Sequence, residues 1–396
     1  MKNKIVVLAY SGGLDTSYSL KKLSSDGYLV HAITINTGGF TNKEVNQISK
    51  KAFQLGANKY KCIDAIDPFY KKIVKYLIFG NILKNNTYPL SVSSERIIQA
   101  IEVVSYSNKI KAKYISHGST GAGNDQVRFD QIFQILAPDS EIITLIRDNK
   151  LSREDEIKYL KSKGLKIEWK KAKYSINKGL WGTSIGGSET LTSNQPLPEN
   201  AYPNRLKSKK DKKIEIEFKK GELIRINSIK DSPVNLIKYL QNLAEKYAIG
   251  RDIHVGDTII GIKGRVAFEA AAPIIIIKAH HLLEKHTLSK WQLFQKESIS
   301  NFYGMLLHEG QYFDPVMRDI ESFLINSQKT VNGTVYIKLR PYSFDLEGIN
   351  SKYDLMHGAF GSYGEINNNW TADDVKGFIK LNTNAGKIYH KINKKK

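Results

Sequence analysis

A short glycine-rich run near the N-terminus, Y-S-G-G-L-D-T-S at residues 10–17, has the clearest chemical signature in the chain. It follows five apolar residues, Ile5–Ala9, so the pattern predicts a strand, a tight loop and the first turn of a helix. Backbone N–H groups at such a turn, together with the positive end of the helix dipole, favour an anion. Gly12 and Gly13 lack side chains, so an oxyanion can approach the main chain closely. We therefore expect a phosphate to bind here.

The type of phosphate loop follows from what surrounds the glycines. The common motif G-x-x-x-x-G-K-[ST] needs a lysine on the β- and γ-phosphates, and no lysine lies between Lys4 and Lys21. The sequence does not fit G-x-G-x-x-G either. S-G-G-x-D-[ST] instead resembles the loop of the ATP pyrophosphatase group, which cleaves ATP between its α- and β-phosphates. An ordinary turn with glycines for steric reasons is the alternative, and six matching positions after a predicted strand disfavour it.

A second dense motif, Y-I-S-H-G-S-T-G-A-G-N-D-Q-V-R-F, occupies residues 114–129. Its three glycines let the backbone bend and approach a ligand. Thr120 and Asn124 supply neutral donors, Asp125 an acceptor for an ammonium group, and Arg128 a planar fork for a carboxylate. Each residue alone is typical of a helix cap or a surface position. Together, after a predicted strand, they indicate a site for an amino acid beside a nucleotide.

The first half of the chain alternates short apolar runs with helical patterns, which predicts strands and helices in turn. These elements must position both motifs. The predicted strands are Ile5–Ala9, 30–36, Lys59–Asp64, Tyr114–Ser116 and 142–145, and the predicted helices are 16–25, 43–55, 68–83, 94–109 and 152–163. Alternating strands and helices predict an open parallel sheet, with ligands at the carboxyl ends of the strands. Because both glycine-rich loops follow strands, we expect them to face the same crevice.

The second half of the chain has a different pattern. Residues 169–202 contain little periodicity and much Ser, Thr, Gly and Pro, which is typical of a connecting or active-site segment. Beyond it, we predict strands at 214–218, 223–229, 258–262, 265–269 and 331–339, a helix at 232–247, and the start of another helix at 372–376.

The predicted fold class is α/β, with two domains and a tail. Residues 1–168 are expected to form a parallel-sheet nucleotide-binding domain of the ATP pyrophosphatase type. Residues 169–370 are expected to form a mixed α+β domain for catalysis and oligomerisation, and residues 371–396 a helical tail with a frayed end.

Composition excludes several classes of protein. The 396 residues are 41% hydrophobic, which is enough for real cores, and no apolar run approaches the 18 residues of a membrane span. The N-terminus begins directly with a predicted strand, so we expect a soluble cytoplasmic protein. The single cysteine, Cys62, excludes a disulfide framework and a cysteine-based metal cluster. It also excludes the cysteine pairs of pyrophosphatase-loop relatives that thiolate tRNA.

The net charge of +21 raises the question of nucleic acid. The lysines are scattered, apart from clusters at 207–213 and 394–396, and no RNA-binding aromatic motif accompanies either cluster. We therefore interpret the charge as diffuse and expect no specific nucleic-acid binding. A tRNA-binding protein is the alternative from a different functional class.

The two motifs together resemble the argininosuccinate synthase family. The resemblance rests on A-Y-S-G-G-L-D-T-S at 9–17 and S-H-G-x-T-G-x-G-N-D-Q-V-R-F at 116–129, and it extends through Trp181 and 214–221 over most of the chain. It implies an ATP-dependent ligase that joins citrulline and aspartate into argininosuccinate, through a citrullyl-adenylate, with release of AMP and pyrophosphate. It also implies Mg²⁺ bound through the phosphates rather than by protein ligands, and a homotetramer.

Binding roles follow from the same resemblance, position by position. ATP would contact Ala9, Tyr10, Ser11, Gly12, Gly13, Leu14, Asp15, Thr16, Ser17, Ile35 and Gly118. Citrulline would contact Tyr88, Ser93, Asn124, Arg128, Ser175 and Ser184. Aspartate would contact Thr120, Asn124 and Asp125. Asp15 is the candidate for organising the phosphates or the metal ion, and no side chain stands out as a general base.

The chain departs from the family pattern in the second half. The family usually has an acidic residue where this chain has Gly256 and a tyrosine where it has Phe268, both contacting citrulline; Glu95 is also unusual. Losing a carboxylate leaves a substrate ammonium unpaired, at a cost of about 1–3 kcal/mol. We favour compensation by Asp257 or Glu269. A substrate whose α-amine is acylated is the other explanation, and another amide-forming ligase of the pyrophosphatase-loop group is a further alternative.

Overall fold

A five-stranded parallel sheet organises the first half of the computed structural model, which describes residues 4–165, 173–358 and 369–394. Its strands are β1 (Ile5–Ala9), β2 (Leu29–Asn36), β3 (Lys59–Asp64), β4 (Tyr114–Ser116) and β5 (Glu141–Ile143). They lie in the order β3-β2-β1-β4-β5, and every pair is parallel. After β1 the chain continues to β2 on one side, whereas β4 lies on the other. This reversal of direction opens a crevice at the carboxyl ends of β1 and β4.

Helices cover both faces of this sheet, which explains why Val6, Val7 and Leu8 in β1 are all completely buried. The helices are Leu14–Ser25, Asn42–Gln54, Ser91–Lys109, Asp125–Leu136, Leu145–Asp148 and Arg153–Ser162, with a helical stretch over Ile66–Phe69, Tyr70–Val74 and Lys75–Phe79 whose middle turn is a π-helix. Side chains fix several of the starting points. The Thr41 hydroxyl, for example, accepts from the Glu44 N–H while the Glu44 carboxylate accepts from the Thr41 N–H.

The second half contains two antiparallel sheets. Its strands are β6 (Ser175–Gly179), β7 (Gly182–Gly186), β8 (Lys212–Lys219), β9 (Glu222–Ile226), β10 (Ile229–Lys230), β11 (Arg251–Asp257), β12 (Lys263–Glu269), β13 (Gly333–Arg340) and β14 (Ser343–Asn350). One sheet has the order β10-β9-β8-β13-β14, and the other has the order β11-β12-β7-β6. The second of these contributes to the candidate site described below.

Helices pack around both sheets. The long ones are Pro233–Ala244, Ala271–Thr287, Lys290–His308, Pro315–Ser327, Ala372–Asn382 and Asn384–Asn393, and short 3-10 turns occur at Ser188–Leu191, Glu199–Ala201, Glu245–Tyr247, Gln328–Thr330 and Leu355–His357. One hydrophobic core joins the two halves, because Ile97 of the first half packs in the same cluster as Trp181 and Phe268. The Trp181 indole also donates to the Pro89 carbonyl at 3.0 Å. None of the helices in the described segments is long and apolar enough to cross a bilayer.

The α/β fold with a parallel N-terminal sheet is confirmed, and one predicted strand is wrong. Residues 258–262 do not form a strand but the turn between β11 and β12, in which the Thr258 N–H donates to the Ile262 carbonyl at 2.8 Å. The segment 169–202, interpreted above as a connecting or active-site segment, contains the β6–β7 hairpin, and its residues 169–172 lie outside the described residues. Glycine, serine and threonine dominate this hairpin, so it lacks the apolar alternation that predicts a strand.

Candidate functional site

The loop between β1 and the helix Leu14–Ser25 has the geometry of an anion-binding turn. Gly12 has a φ of +77°, which favours glycine, and a Cβ atom there would lie 3.1 Å from the Ile48 side chain. The Ser11 hydroxyl accepts from the Gly13 N–H at 3.3 Å and lies 3.3 Å from the Thr16 hydroxyl. The first N–H groups of the helix have no intrahelical partner. Hydroxyl and amide donors therefore converge at one helix N-terminus.

A lysine from another part of the chain supports this loop. Lys51, near the end of the helix Asn42–Gln54, donates from Nζ to the Gly12 carbonyl at 2.6 Å. Burial lowers the pKa of Lys51 to about 8. A lysine is thus adjacent to the loop, although the sequence around the glycines contains none. The motif search missed it because the contact is made in three dimensions and has no local spacing.

A buried carboxyl group lies close to Asp15, the acidic residue in the first turn of the same helix. Glu156, on the helix Arg153–Ser162, is 1% exposed. Burial first, and the proximity of Asp15 second, raise the pKa of Glu156 to about 8. The protonated form of this buried carboxyl group is thus favoured, and its Oε2 atom has no hydrogen-bond partner in the described chain. Sequence analysis did not identify Glu156, because nothing in its helix distinguishes it from a surface acid.

The second glycine-rich loop touches the first. A Cβ atom on Gly118, just after β4, would lie 2.9 Å from Thr16 Cγ2 and 3.0 Å from the Thr16 backbone nitrogen. Only glycine permits this approach without displacing the helix N-terminus. His117 holds the loop, because its Nδ1 atom accepts from the Ser119 N–H at 3.1 Å and its Nε2 atom lies 2.8 Å from Asp130. The prediction that both loops face one crevice is confirmed.

Charged side chains form a network beside these loops. The Asp125 carboxylate accepts from Arg128 at 2.9 Å and from Arg96 at 2.8 Å, and Arg96 also donates to Asn177 on β6 at 3.0 Å. Burial opposes ionisation of Asp125, but the two guanidinium groups lower its pKa below the usual value. Two cations share one anion, so the network keeps a net positive charge that suits anionic substrate groups. Arg96 is a further residue that sequence analysis missed.

The residues predicted to contact citrulline lie around this network. Tyr88 is buried, its hydroxyl accepts from the Val92 N–H at 3.2 Å, and its ring lies 5.5 Å from the Phe268 ring. Ser184 on β7 is buried and pairs with Phe268 across the sheet. The Asn124 side chain accepts from the Ile259 N–H at 2.9 Å, which ties the second loop to the β11–β12 turn.

The other predicted residues lie at the edges of the site. Ser93 is buried and donates to the Leu90 carbonyl, Ser175 is exposed at the start of β6, and Thr120 is exposed in the second loop. Ile35 is the second-last residue of β2. It lies two positions beyond Ile33, which pairs with Ala9 of β1, toward the carboxyl end of the strand. The structure thus places the predicted positions along the carboxyl ends of β1, β2 and β4 and on the facing β6–β7 hairpin.

Both carboxylates expected to replace the missing acid at Gly256 are paired elsewhere. Glu269 accepts from Arg251 at 2.8 Å and from Asn204, and it is 1% exposed. Asp257 lies at the surface, 2.7 Å from the ammonium group of Lys263. A Cβ atom on Gly256 would lie 2.6 Å from His254 Nε2, so the His254 imidazole occupies the space that a side chain at position 256 would need.

The Glu95 side chain lies against the β6–β7 hairpin. Its Oε2 atom accepts from the Thr37 hydroxyl at 3.1 Å, and its Oε1 atom has no hydrogen-bond partner in the described chain. A Cβ atom on Gly179 would overlap this carboxyl group, so the Glu95 side chain and the β6 backbone are in direct contact. Burial raises the pKa of Glu95 to about 8, and the Arg96 charge only partly opposes this shift.

The acidic, histidine and cysteine side chains of the described segments do not form a metal site. Within residues 4–165, 173–358 and 369–394, no three of these side chains converge as metal ligands. The arrangement described above can instead bind anions through amide, hydroxyl and guanidinium donors.

Comparison with known proteins gives a consistent result over nearly the whole chain. The profile of the arginosuccinate synthase N-terminal HUP domain matches residues 5–166, and that of the arginosuccinate synthase C-terminal domain matches residues 174–389. An argininosuccinate synthase of Methanocaldococcus jannaschii is 36% identical, over 99% of this chain and 100% of its own length. Those of Dictyoglomus turgidum and Xanthomonas campestris pv. campestris are 37% and 32% identical, over 96% and 100% of this chain and 96% and 100% of their own lengths.

Proposed function

The chain belongs to the argininosuccinate synthase family, and from that premise we propose that it joins citrulline and aspartate into argininosuccinate with ATP as the energy source. One observation supports this assignment most directly. The two glycine-rich loops meet at Thr16 and Gly118, and the Asp125 carboxylate with its two arginines lies beside them. A nucleotide phosphate and two amino acids can therefore occupy one crevice.

The first step forms a bond between the ureido oxygen of citrulline and the α-phosphorus of ATP, and breaks the bond from that phosphorus to the bridging oxygen of pyrophosphate. We assign the triphosphate to the residues of the first loop, Ala9, Tyr10, Ser11, Gly12, Gly13, Leu14, Asp15, Thr16 and Ser17, with Ile35 and Gly118. Amide and hydroxyl donors at the helix N-terminus stabilise the charge on the departing pyrophosphate. Adenylation turns the ureido oxygen into a good leaving group.

In the second step the α-amine of aspartate attacks the activated ureido carbon, and AMP leaves with the oxygen. We assign aspartate to Thr120, Asn124 and Asp125, and the ureido substrate to Tyr88, Ser93, Asn124, Arg128, Ser175 and Ser184. Holding both amino acids next to the nucleotide converts an encounter of three molecules into a reaction within one complex. Charge stabilisation and positioning supply the catalysis, and no side chain is assigned as a general base.

Mg²⁺ enters this proposal as part of the MgATP substrate. Fixed donors at the first loop suit the phosphates, and the described residues provide no cage of protein ligands, so the ion would be held mainly by phosphate oxygens and water. Asp15, in the first turn of the helix, is the carboxylate that would orient it. The bound ion would neutralise charge on the pyrophosphate group.

We also propose a homotetramer with the domain limits given above, 1–168, 169–370 and a tail at 371–396. The tail helices Ala372–Asn382 and Asn384–Asn393 contact each other. Their apolar side chains Phe378, Leu381 and Ile392 are nevertheless 67%, 72% and 69% exposed. Two short helices are only marginally stable alone in water, so another copy of the chain would cover this apolar face. Light scattering would give the mass of four 44.8-kDa chains.

The location and charge of the protein complete the proposal. We expect the enzyme in the cytoplasm, where its substrates are made, and we expect the diffuse positive charge to attract anionic substrates rather than a specific nucleic acid. Filter binding against tRNA at physiological salt tests the second point, because diffuse charge gives weak and strongly salt-dependent binding.

The central test is release of pyrophosphate from ATP by the full-length protein. We expect release only when a citrulline-type ureido donor and aspartate are both present, with AMP and the condensed product identified by mass spectrometry. Arg128→Gln should lower kcat/KM about 10- to 100-fold, since a charge-assisted hydrogen bond to a buried group is lost. Arg340→Gln, at an exposed arginine paired with Asp345, is the matched control and should change it less than about twofold.

Two outcomes would contradict the proposal. Pyrophosphate release without any ureido donor would indicate a different acceptor. Release supported by ammonia or glutamine in place of aspartate would indicate another ligase of the pyrophosphatase-loop group.

A further inference from the structure

Four basic side chains meet where the helix Asp125–Leu136, strand β11 and the end of the helix Lys290–His308 come together. We call this cluster the basic corner; its members are Lys84, Arg128, His254 and His308. Arg128 Nε donates to the His308 carbonyl at 2.8 Å, and the His254 ring stacks on Tyr88 with 5.4 Å between ring centroids. The Lys84 N–H donates to the Tyr88 carbonyl at 2.8 Å, which places Lys84 next to the same tyrosine. The corner therefore borders two positions assigned to the ureido substrate, Tyr88 and Arg128.

The two imidazoles of the basic corner are neutral. Burial, together with the positive charges of Arg128 and Lys84, lowers the pKa of His308 to about 3. Burial and the Lys84 charge also lower the pKa of His254. His254 and His308 are only 5% and 7% exposed. Each ring consequently has one N–H donor and one acceptor nitrogen at neutral pH.

The proton on each ring can be assigned from its surroundings. The Nδ1 atoms of His254 and His308 are both buried without a hydrogen-bond partner in the described chain. A buried N–H without a partner is rarer and more costly than an unpaired acceptor, so the proton belongs on Nε2. His254 Nε2 lies beside Gly256, 2.6 Å from the position that a Cβ atom on this glycine would occupy. The basic corner therefore presents N–H donors: two imidazoles, an ammonium group and a guanidinium group.

Carboxylates near the basic corner have other partners. Asp125 is bonded to Arg96 and Arg128, and Asp257 is paired with Lys263. Glu309, which follows His308, is partly exposed and faces the charge of Lys84. A ligand ammonium group placed here would face two cations and several N–H donors, and the Glu309 carboxylate beside it is attracted by Lys84. A ligand carbonyl or carboxylate would interact favourably with the same cations and donors.

We propose that the ureido substrate is acylated on its α-nitrogen, an Nα-acylcitrulline, and that the basic corner binds the acyl group. This inference rests on the proposed function and narrows it: the ureido donor is the acylated form of citrulline, and the product is the matching Nα-acyl-argininosuccinate. The acyl carbonyl accepts from an imidazole N–H, and an amide nitrogen has no charge that Lys84 and Arg128 would repel. The chemistry at the ureido oxygen is unchanged: the same bonds form and break, AMP and pyrophosphate leave, and the acyl group stays on the product.

His254 and Gly256 act together as the specificity element of this proposal. The imidazole occupies the volume into which a side chain at position 256 would project, so an acid at that position would require the imidazole to move. Phe268 adds an apolar wall, because its buried ring lies 5.5 Å from Tyr88 and has no hydroxyl group to offer an ammonium.

The test compares three ureido donors in the pyrophosphate assay with the full-length protein, MgATP and aspartate. The donors are citrulline, Nα-acetylcitrulline and Nα-succinylcitrulline, and the last two distinguish a carbonyl alone from a carbonyl plus a carboxylate for Lys84. We expect kcat/KM for at least one acylated donor to exceed that for citrulline about 10- to 100-fold. Equal values, or a preference for citrulline, would overturn the inference while leaving the proposed function intact. No release with any donor would instead overturn the proposed function.

A pair of substitutions tests the specificity element itself. His254→Ala combined with Gly256→Glu makes room for a carboxylate and supplies one, so the preference should shift at least about tenfold toward citrulline. His254→Ala alone should weaken use of the acylated donor without improving use of citrulline. Val255→Ala, at the exposed neighbour on the same strand, is the matched control and should leave the ratio unchanged. Thermal melts establish that each variant is folded, and a folded double variant with an unchanged ratio would contradict the role of His254.

Discussion

Two regions of the molecule bury ionisable groups in contrasting ways. One is a core network of five side chains: Glu284, Lys296, His280 and Gln328 from the second half and Asn81 from the first. The Glu284 carboxylate accepts from Lys296 at 2.8 Å, from Gln328 at 2.8 Å and from Asn81 at 2.5 Å. Both nitrogens of His280 are also hydrogen-bonded, at 2.6 and 2.8 Å. Every partner comes from the chain itself.

The polar groups of the basic corner, in contrast, are not all hydrogen-bonded within the described chain. His254 and His308 are buried to a similar degree as the core network, yet neither imidazole has a hydrogen-bond partner in the described chain. Buried polar groups are nearly always satisfied in native proteins, so an unsatisfied pair needs an explanation. Burial alone therefore does not separate structure from function here. The difference between filled and unfilled hydrogen-bonding capacity does, because an imidazole without a hydrogen-bond partner in the described chain remains available to a ligand.

The largest expected effect is loss of stability in the core network. Lys296→Met leaves the Glu284 carboxylate buried without its cation and should lower the free energy of unfolding by about 3–5 kcal/mol. Denaturant titration measures the change. Lys84→Met in the basic corner is the matched control: this lysine has no carboxylate within salt-bridge distance in the described chain, so its removal should cost less than about 1 kcal/mol.

A second variant shows whether the charge or the volume of Lys296 matters. Combining Glu284→Gln with Lys296→Met removes both charges together and should recover part of the lost stability. If Lys296→Met and Lys84→Met destabilised the protein equally, the contrast between the two regions would be wrong.

Sequence patterns identify the strands and glycine-rich loops of the site much better than the basic corner. β1, β3 and β4 have the predicted bounds because apolar runs between helices have a strong local signal. The β6–β7 hairpin, rich in glycine and serine, has no such signal and is stabilised by pairing with β12. His254 gives no signal either, since a lone histidine on a strand is ordinary. Its meaning depends on contact with Tyr88 and Gly256, which only the folded chain brings together.

The ligand-facing region should respond to substitution in activity more than in stability. In Gly118→Ala, the new Cβ would lie 3.0 Å from the Thr16 backbone nitrogen and push the two glycine-rich loops apart. We expect the KM for ATP to rise about 10- to 100-fold, because small displacements of bound phosphates are costly to the reaction. Steady-state kinetics with varied ATP measure it.

Gly121→Ala in the same loop is the matched control. Its Cβ would make an ordinary contact, 3.5 Å from the Arg147 side chain, so the KM for ATP should change less than about twofold. Equal effects of the two substitutions would indicate a general loss of loop flexibility rather than a close approach at Gly118.

Glu95 is an intermediate case, since one of its carboxyl oxygens is hydrogen-bonded and the other is not. Its pKa is raised from 4.5 to about 8, so the folded protein binds a proton that the unfolded chain has released between these values. Its contribution to stability is therefore complete below about pH 4.5 and is lost as the pH rises through about 8. Relative to Glu95→Gln, the native protein should lose on the order of 1–3 kcal/mol of unfolding free energy between pH 5 and pH 8.5.

Denaturant titrations of both proteins at the two pH values measure this difference. Glu141→Gln, at an exposed glutamate, should show no comparable pH dependence relative to the native protein. A constant difference between the native protein and Glu95→Gln across the range would show that Glu95 is ionised throughout, and would place it with the satisfied groups.

The smallest expected effect concerns a nearby carboxylate that could change partners. Asp257 and Lys263 form an exposed pair at 2.7 Å, with 64% and 72% of their side chains accessible. Such pairs contribute little, so Lys263→Met should change the unfolding free energy by less than about 0.5 kcal/mol. It also removes the partner of Asp257 and leaves that carboxylate open to a substrate ammonium. If the basic corner selects an acylated nitrogen, the ratio of kcat/KM values for acylated and free citrulline should stay within about twofold of the native ratio. A gain of tenfold or more for free citrulline would show that Asp257 reaches the α-nitrogen. Asp257 would then replace the acidic residue that the family usually has at the position of Gly256.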